Sequence, residues 1–223
     1  MKNNEKRKNE RNLAKLARHL MLTSSFIDNL GVLNGKMGII IFFYHYAQYT
    51  QCERYEKFAG ELVDELYEDI SARTPIDFAN GLCGIAWGMT YLINHHFVSA
   101  DTDILCDFDS KIMQIDVTKM NDLSIETGLA GIGYYVLCRY CEDNGRNYLL
   151  ESYVAAVRHA LLNSRNMECL KVLKLFHSVS HTSAVQMDDI LRSFLPKDGL
   201  KPTSIGIKNG LTGLALKMMM TYE

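Results

Sequence analysis

Asn80-Gly81-Leu82-Cys83-Gly84-Ile85 is a phrase this chain uses four times. Asn34-Gly35-Lys36-Met37-Gly38-Ile39 precedes it; Thr127-Gly128-Leu129-Ala130-Gly131-Ile132 and Asn209-Gly210-Leu211-Thr212-Gly213-Leu214 follow. Each copy reads Asn or Thr, Gly, two residues, Gly, then a branched aliphatic and an apolar run. The first glycines fall at 35, 81, 128 and 210, so the steps are 46, 47 and 82, the last being nearly two of the shorter periods. Self-similarity at such a period is the signature of a repeat architecture.

Asn or Thr before the first Gly is a favourable helix N-cap, its side-chain oxygen accepting from a free N–H of the first turn. Asn34, Asn80, Thr127 and Asn209 are therefore expected to cap helices whose first turns contain both glycines. Glycine there costs about 1 kcal/mol relative to Ala. Eight glycines cost about 8 kcal/mol, comparable with a domain's net stability, so something must offset them. Residues three apart share a helix face, so each Gly pair leaves a bare strip that another backbone can approach. The plain reading is tight packing. A sharper and compatible reading is a set of helix N-termini, partially positive, facing a ligand cleft. That reading makes Asn34, Gly35, Asn80, Gly81, Cys83, Glu126, Gly128, Asn209 and Gly210 the cleft candidates.

The runs after the motifs, such as Ile39-Ile40-Ile41-Phe42-Phe43-Tyr44 and Ile132-Gly133-Tyr134-Tyr135-Val136-Leu137, are apolar all round and predict helices buried on every side. None reaches the roughly 18 unbroken apolar residues of a membrane span. Between them lie amphipathic stretches. In residues 55–72, Phe58, Leu62, Leu66 and Ile70 recur every four positions among Glu61, Asp64, Glu65, Glu68 and Asp69. Residues 12–29, 102–115, 147–163 and 186–195 read the same way. Residues 167–181 are expected to hold a further buried helix without its Gly pair. The whole reads as one all-α repeat domain over 1–223, about five pairs of outer amphipathic and inner apolar helices, an incomplete α/α barrel, with 1–11 a frayed start.

The chain has 24 Lys and Arg against 26 Asp and Glu, which gives no global reason to expect nucleic acid or an anionic membrane as partner. Six scattered cysteines, with no apolar signal core near Met1, point to a reducing cytoplasm rather than a disulfide framework.

Gly81-Leu82-Cys83-Gly84-Ile85-Ala86-Trp87-Gly88, Thr127-Gly128-Leu129-Ala130-Gly131-Ile132-Gly133 and Asn209-Gly210-Leu211-Thr212-Gly213-Leu214-Ala215 resemble the repeats of the lanthionine cyclase (LanC-like) family, from about residue 10 to the end. The resemblance implies an α/α toroid, of seven inner and seven outer helices in the family and contracted here. It also implies work on peptides. The family's enzymes hold zinc with two cysteines and a histidine, so that thiolates add to dehydrated Ser or Thr of a precursor peptide. One Cys-His pair stands directly before the first Gly of a late repeat, and another Cys follows a Trp. Here the pairs before the first Gly are Leu33-Asn34, Ala79-Asn80, Glu126-Thr127 and Lys208-Asn209, and Gly88 follows Trp87. No zinc ligand carries over. The leading expectation is thus a short, divergent member, an accessory peptide- or protein-binding subunit with no cofactor of its own. Zinc enters through the resemblance alone.

Two enzymatic alternatives stand beside it. A zinc cyclase with other ligands would draw on Cys83, the Cys138-x-x-Cys141 pair, or His177 and His181, four apart on a helix. His95-His96 with Asp101 and Asp103 is a fainter metal pattern, and packing thiols or solvated histidines account for each as well. A carbohydrate-active α/α barrel would pair Asp77 with Glu126, although Glu126 is equally a charge favoured near a helix start.

Overall fold

In the computed structural model, residues 2–99, 102–141, 149, 151–178, 187–197, 202 and 204–220 are described. They contain ten α-helices: α1 (Lys2–Thr23), α2 (Lys36–Thr50), α3 (Glu53–Asp69), α4 (Leu82–Asn94), α5 (Cys106–Ile112), α6 (Leu129–Cys141), α7 (Glu151–Asn163), α8 (Met167–Ser178), α9 (Met187–Phe194) and α10 (Leu211–Met220). No strand occurs among the described residues, in keeping with the all-α reading of the sequence. The chain forms two compact units, one of residues 1–72 and 189–223, the other of residues 73–188.

In the first unit α2 is the buried element. Ile39, Ile40, Ile41, Phe42 and Phe43 have no solvent exposure, because a helix apolar on every face must be covered on every face. Helix α3 covers it through an aromatic seam: Phe43 meets Phe58 edge-on at 4.8 Å and Tyr46 meets Tyr55 at 4.6 Å. Helices α1 and α10 pack against each other, and α10 also packs on α2. At the start of α2, Lys36 stands where the other three motifs carry Leu82, Leu129 and Leu211. Its side chain is 3% exposed, and Nζ reaches Asp69 Oδ2 at 2.7 Å and Glu65 Oε2 at 3.5 Å. The two acids lie four apart at the end of α3, so both face the Lys36 ammonium.

In the second unit α4 and α6 are the buried pair. Helix α5 packs on α4, α7 and α8 pack on α6, and α7 packs on α8. A run of rings follows α4: Phe78 against Trp87, Trp87 stacked on Tyr91 at 5.6 Å, and Tyr91 on His95 at 4.0 Å.

Helix α8 corrects one expectation. It is amphipathic and not buried on all sides: Cys169, Val172, Leu173 and Phe176 are covered, whereas Lys171, Lys174 and His177 are exposed. Those three polar residues recur every three positions and hold one face in water.

Candidate functional site

The glycine-pair turns are built from backbone, and their side chains do not cap. Gly35 and Gly81 are themselves the N-cap residues of α2 and α4, in extended conformation, and neither helix has a side-chain cap. Helices α6 and α10 likewise begin one residue after Gly128 and Gly210. The expected capping by Asn34, Asn80, Thr127 and Asn209 is therefore overturned, each standing one position too early. The free N–H groups find acceptors in the preceding loop. The residue after the first Gly donates to the carbonyl seven positions back in all four turns: Lys36 to Asn29 and Leu82 to Pro75 at 2.8 Å, Leu129 to Asp122 and Leu211 to Ser204 at 2.9 Å. The next residue repeats the pattern for Met37 to Leu30, Cys83 to Ile76 and Thr212 to Ile205. Gly131 to Ser124 and Gly213 to Gly206 carry it one step further.

This arrangement explains six of the eight motif glycines. A Cβ on Gly35, Gly81 or Gly128 would overlap the carbonyl six residues earlier, of Asn29, Pro75 or Asp122. A Cβ on Gly38, Gly131 or Gly213 would overlap the carbonyl of Val32, Ile125 or Ile207, again six earlier. The approaching backbone is thus each helix's own loop. It also accounts for the offset the glycines require: an N-cap glycine carries little penalty, and two or three backbone hydrogen bonds per turn oppose the rest. The same bonds engage, in each turn, two or three of the N–H groups that open the helix.

Side chains bind the loops to themselves. Asp77 Oδ1 accepts from the Asn80 backbone at 2.7 Å and from its Nδ2 at 3.2 Å. Asp122 accepts from the Ser124 N–H at 2.9 Å and the Thr127 hydroxyl at 2.5 Å. Asn209 has φ 54°, the left-handed region Asn tolerates.

Each unit joins two turns. In the second, the Ala79 N–H donates to the Glu126 carbonyl at 2.8 Å, and Gly131 leaves only 2.7 Å between a Cβ and that of Phe78. In the first, the Lys208 N–H donates to the Leu33 carbonyl at 3.1 Å. Both bonds join the residues two before the first Gly, and the last motif donates to the first as the second does to the third. The cleft candidates accordingly fall in two groups. Asn34 and Gly35 lie with Asn209 and Gly210, both Asn exposed; Asn80, Gly81 and Cys83 lie with Glu126 and Gly128, Asn80 and Glu126 half-buried.

Among the described residues the metal candidates do not assemble into a group of three. Cys83 is wholly buried in the first turn of α4, and burial, then the charge of Asp77, pushes its thiol well above the ordinary value. Cys138 lies in α6 with Sγ 3.8 Å from Met187 Sδ. His177 is exposed at the end of α8. Cys141 closes α6, but its side chain, like His181, lies outside the described residues. Among the described residues no three His, Cys, Asp or Glu come together to hold a metal ion. The described candidates, Cys83, Cys138 and His177, do not fit the donor set of two thiolates and an imidazole. Burial raises the Asp77 carboxyl against the lowering hydrogen bonds from Asn80, and the charge of Asp122 adds a smaller upward push.

His95 is also engaged. Its Nδ1 lies 2.9 Å from the Tyr91 carbonyl and its Nε2 3.1 Å from Asp188 Oδ1, which also accepts from the Tyr91 hydroxyl at 2.7 Å. With an acceptor at each nitrogen, the ring has no lone pair to offer a metal and is best satisfied as the imidazolium. Asp101 and the Asp103 side chain lie outside the described residues. The Asp188 hydrogen bond raises the His95 pKa above 6.5, outweighing burial. A raised folded-state pKa contributes stability that is complete below the unfolded value and fades as pH rises through the folded one. Stability should therefore fall from about pH 6.5 upward. In Asp188→Asn that slope should flatten and the His95 pKa, read by NMR, should drop; an unchanged pKa would remove Asp188 as its partner.

Sequence reasoning missed a buried charge cluster in the second unit. Arg139 and Asp109 are 0% and 2% exposed, with Nη2 2.6 Å from Oδ2 and Nε 3.1 Å from Oδ1; Tyr135 also donates to Oδ1. The signal was present. Arg139 is a cation in an otherwise apolar helix, and Asp109 shares a face with Leu105 and Ile112. Asp188 had none, lying 93 residues from His95.

A family model described as lanthionine synthetase C-like protein matches residues 27–171, which include the first three motifs. No curated protein and no solved structure matches the chain. The fourth motif lies beyond the matched segment, yet its turn repeats the backbone bonds of the other three.

Proposed function

The chain belongs to the lanthionine synthetase C-like family, and from that premise we propose that it serves peptide modification as a peptide-binding, accessory member and does not catalyse ring closure. The observation that carries this reading is the donor set at the turns. Leu33-Asn34, Ala79-Asn80, Glu126-Thr127 and Lys208-Asn209 stand where the resemblance calls for Cys-His, and Gly88 follows Trp87. The thiol nearest the turns, Cys83, is buried and held neutral. Without metal activation such a thiol is a poor nucleophile and a poor ligand.

The test is binding and thiol consumption measured on one peptide that carries a cysteine and a dehydroalanine. Ring closure adds the cysteine sulfur to the dehydroalanine β-carbon while the α-carbon takes the proton. Mass is unchanged and one free thiol disappears, so alkylation reports it. The expected result is saturable binding with the thiol count constant, zinc added or not. Protein-dependent loss of the thiol would make the chain a cyclase, and no binding would remove the peptide-binding role.

A further inference from the structure

The near-neutral total charge conceals a polarised distribution. Of 24 basic and 26 acidic residues, α1 holds seven basic (Lys2, Lys6, Arg7, Lys8, Arg11, Lys15, Arg18) and two acidic (Glu5, Glu10), leaving 17 against 24 elsewhere. The cations are ordered on the helix. Arg7, Arg11, Lys15 and Arg18 follow at steps of four, four and three, which places them on one face, and all four are exposed. The opposite face carries Leu13, Ala17 and Leu20, at most 3% exposed, which fasten α1 to its unit. None of the four cations has a hydrogen bond or ion pair among the described residues, so the stripe is not spent on the fold. The same face continues, four residues on, to Leu22, 74% exposed, and just past the helix end comes Phe26, 83% exposed. A cationic row of about 16 Å thus ends in two protruding apolar side chains.

We propose that this face of α1 docks on an anionic phospholipid surface, the four cations meeting headgroup phosphates while Leu22 and Phe26 enter the acyl boundary. Charge complementarity selects an anionic partner. The two apolar side chains at the end of the stripe favour a lipid interface over a nucleic acid or an acidic peptide, since each is left in water unless an apolar phase receives it. Attachment is peripheral: no helix among the described residues is long and apolar enough to cross a membrane.

The test is co-sedimentation of the full chain with vesicles of phosphatidylcholine alone or mixed with phosphatidylglycerol. Binding should require the anionic lipid and weaken with salt. The combined Arg7→Gln, Arg11→Gln, Lys15→Gln, Arg18→Gln variant should bind about several-hundredfold more weakly, with an unchanged helical melt. Leu22→Ser with Phe26→Ser should abolish the fraction that stays bound at high salt. No sedimentation with anionic vesicles, or equal sedimentation of the four-Gln variant, would overturn the proposal. So would binding to polyglutamate or polyuridylate without binding to vesicles, which would assign the stripe to an acidic polypeptide or a nucleic acid.

Discussion

Gly81→Ala should lose about 3–5 kcal/mol of stability. The new Cβ would overlap the Pro75 carbonyl, and that atom is backbone, held in place because it and its neighbour Ile76 accept from Leu82 and Cys83 at 2.8 and 3.2 Å. Overpacking of this kind costs about 1–3 kcal/mol, and each hydrogen bond lost as the loop withdraws adds about 1 kcal/mol. The backbone conformation is not the cause: Gly81 has φ −135°, open to any residue. Gly60→Ala is the control. It lies inside α3, and the atom nearest a Cβ there is the Tyr44 hydroxyl at 4.0 Å. Alanine should stabilise that helix by about 0.5–1 kcal/mol. Denaturant unfolding of the two variants checks both. A cost below about 1 kcal/mol for Gly81→Ala, well short of a backbone overlap, would mean that the loop does not rest on the helix.

The second large effect lies at Asp109. Asp109→Ala removes the carboxylate that meets the Arg139 guanidinium, which has no solvent exposure, and breaking a buried ion pair from one side costs about 3–5 kcal/mol. For a chain of this size that lowers Tm by about 10 °C. The Tyr135 hydroxyl loses its acceptor in the same variant. Replacing both charges, as Asp109→Leu with Arg139→Met, should return most of the stability, because the pair's attraction mainly repays its own desolvation. A double variant as unstable as the single one would show that the pair contributes net stability through its network.

The helices were legible from the sequence because their signals are local. Runs such as Ile39–Phe43 announce burial on every face, and the four-residue recurrence of Phe58, Leu62 and Leu66 announces α3. The glycine pairs announced close backbone approach, but not whose backbone. The partner is the loop six or seven residues upstream, a distance that neither helical periodicity nor the N-cap rule inspects. Asn80 and Thr127 looked like caps because residues that accept at a helix start also tie turns, to Asp77 and Asp122 here. The apolar count of α8 suggests burial on every face, whereas the three-residue spacing of Lys171, Lys174 and His177 marks the face that water keeps. The candidate metal residues were visible only as types. The burial that keeps the Cys83 thiol protonated is a product of packing.

Zinc content is the measurement that bears most directly on the central claim, a LanC-like helical chain whose turns persist without the family's donor set. The tag-free protein would be exposed to excess zinc, dialysed, and analysed for metal beside its helical melt. A cooperative melt with well under about a tenth of a zinc per chain is the predicted result, since no cluster of three donors exists among the described residues. About one zinc per chain, retained against dialysis and lost in Cys83→Ala or Cys138→Ala, would contradict it and make the protein a metal-dependent member of its family.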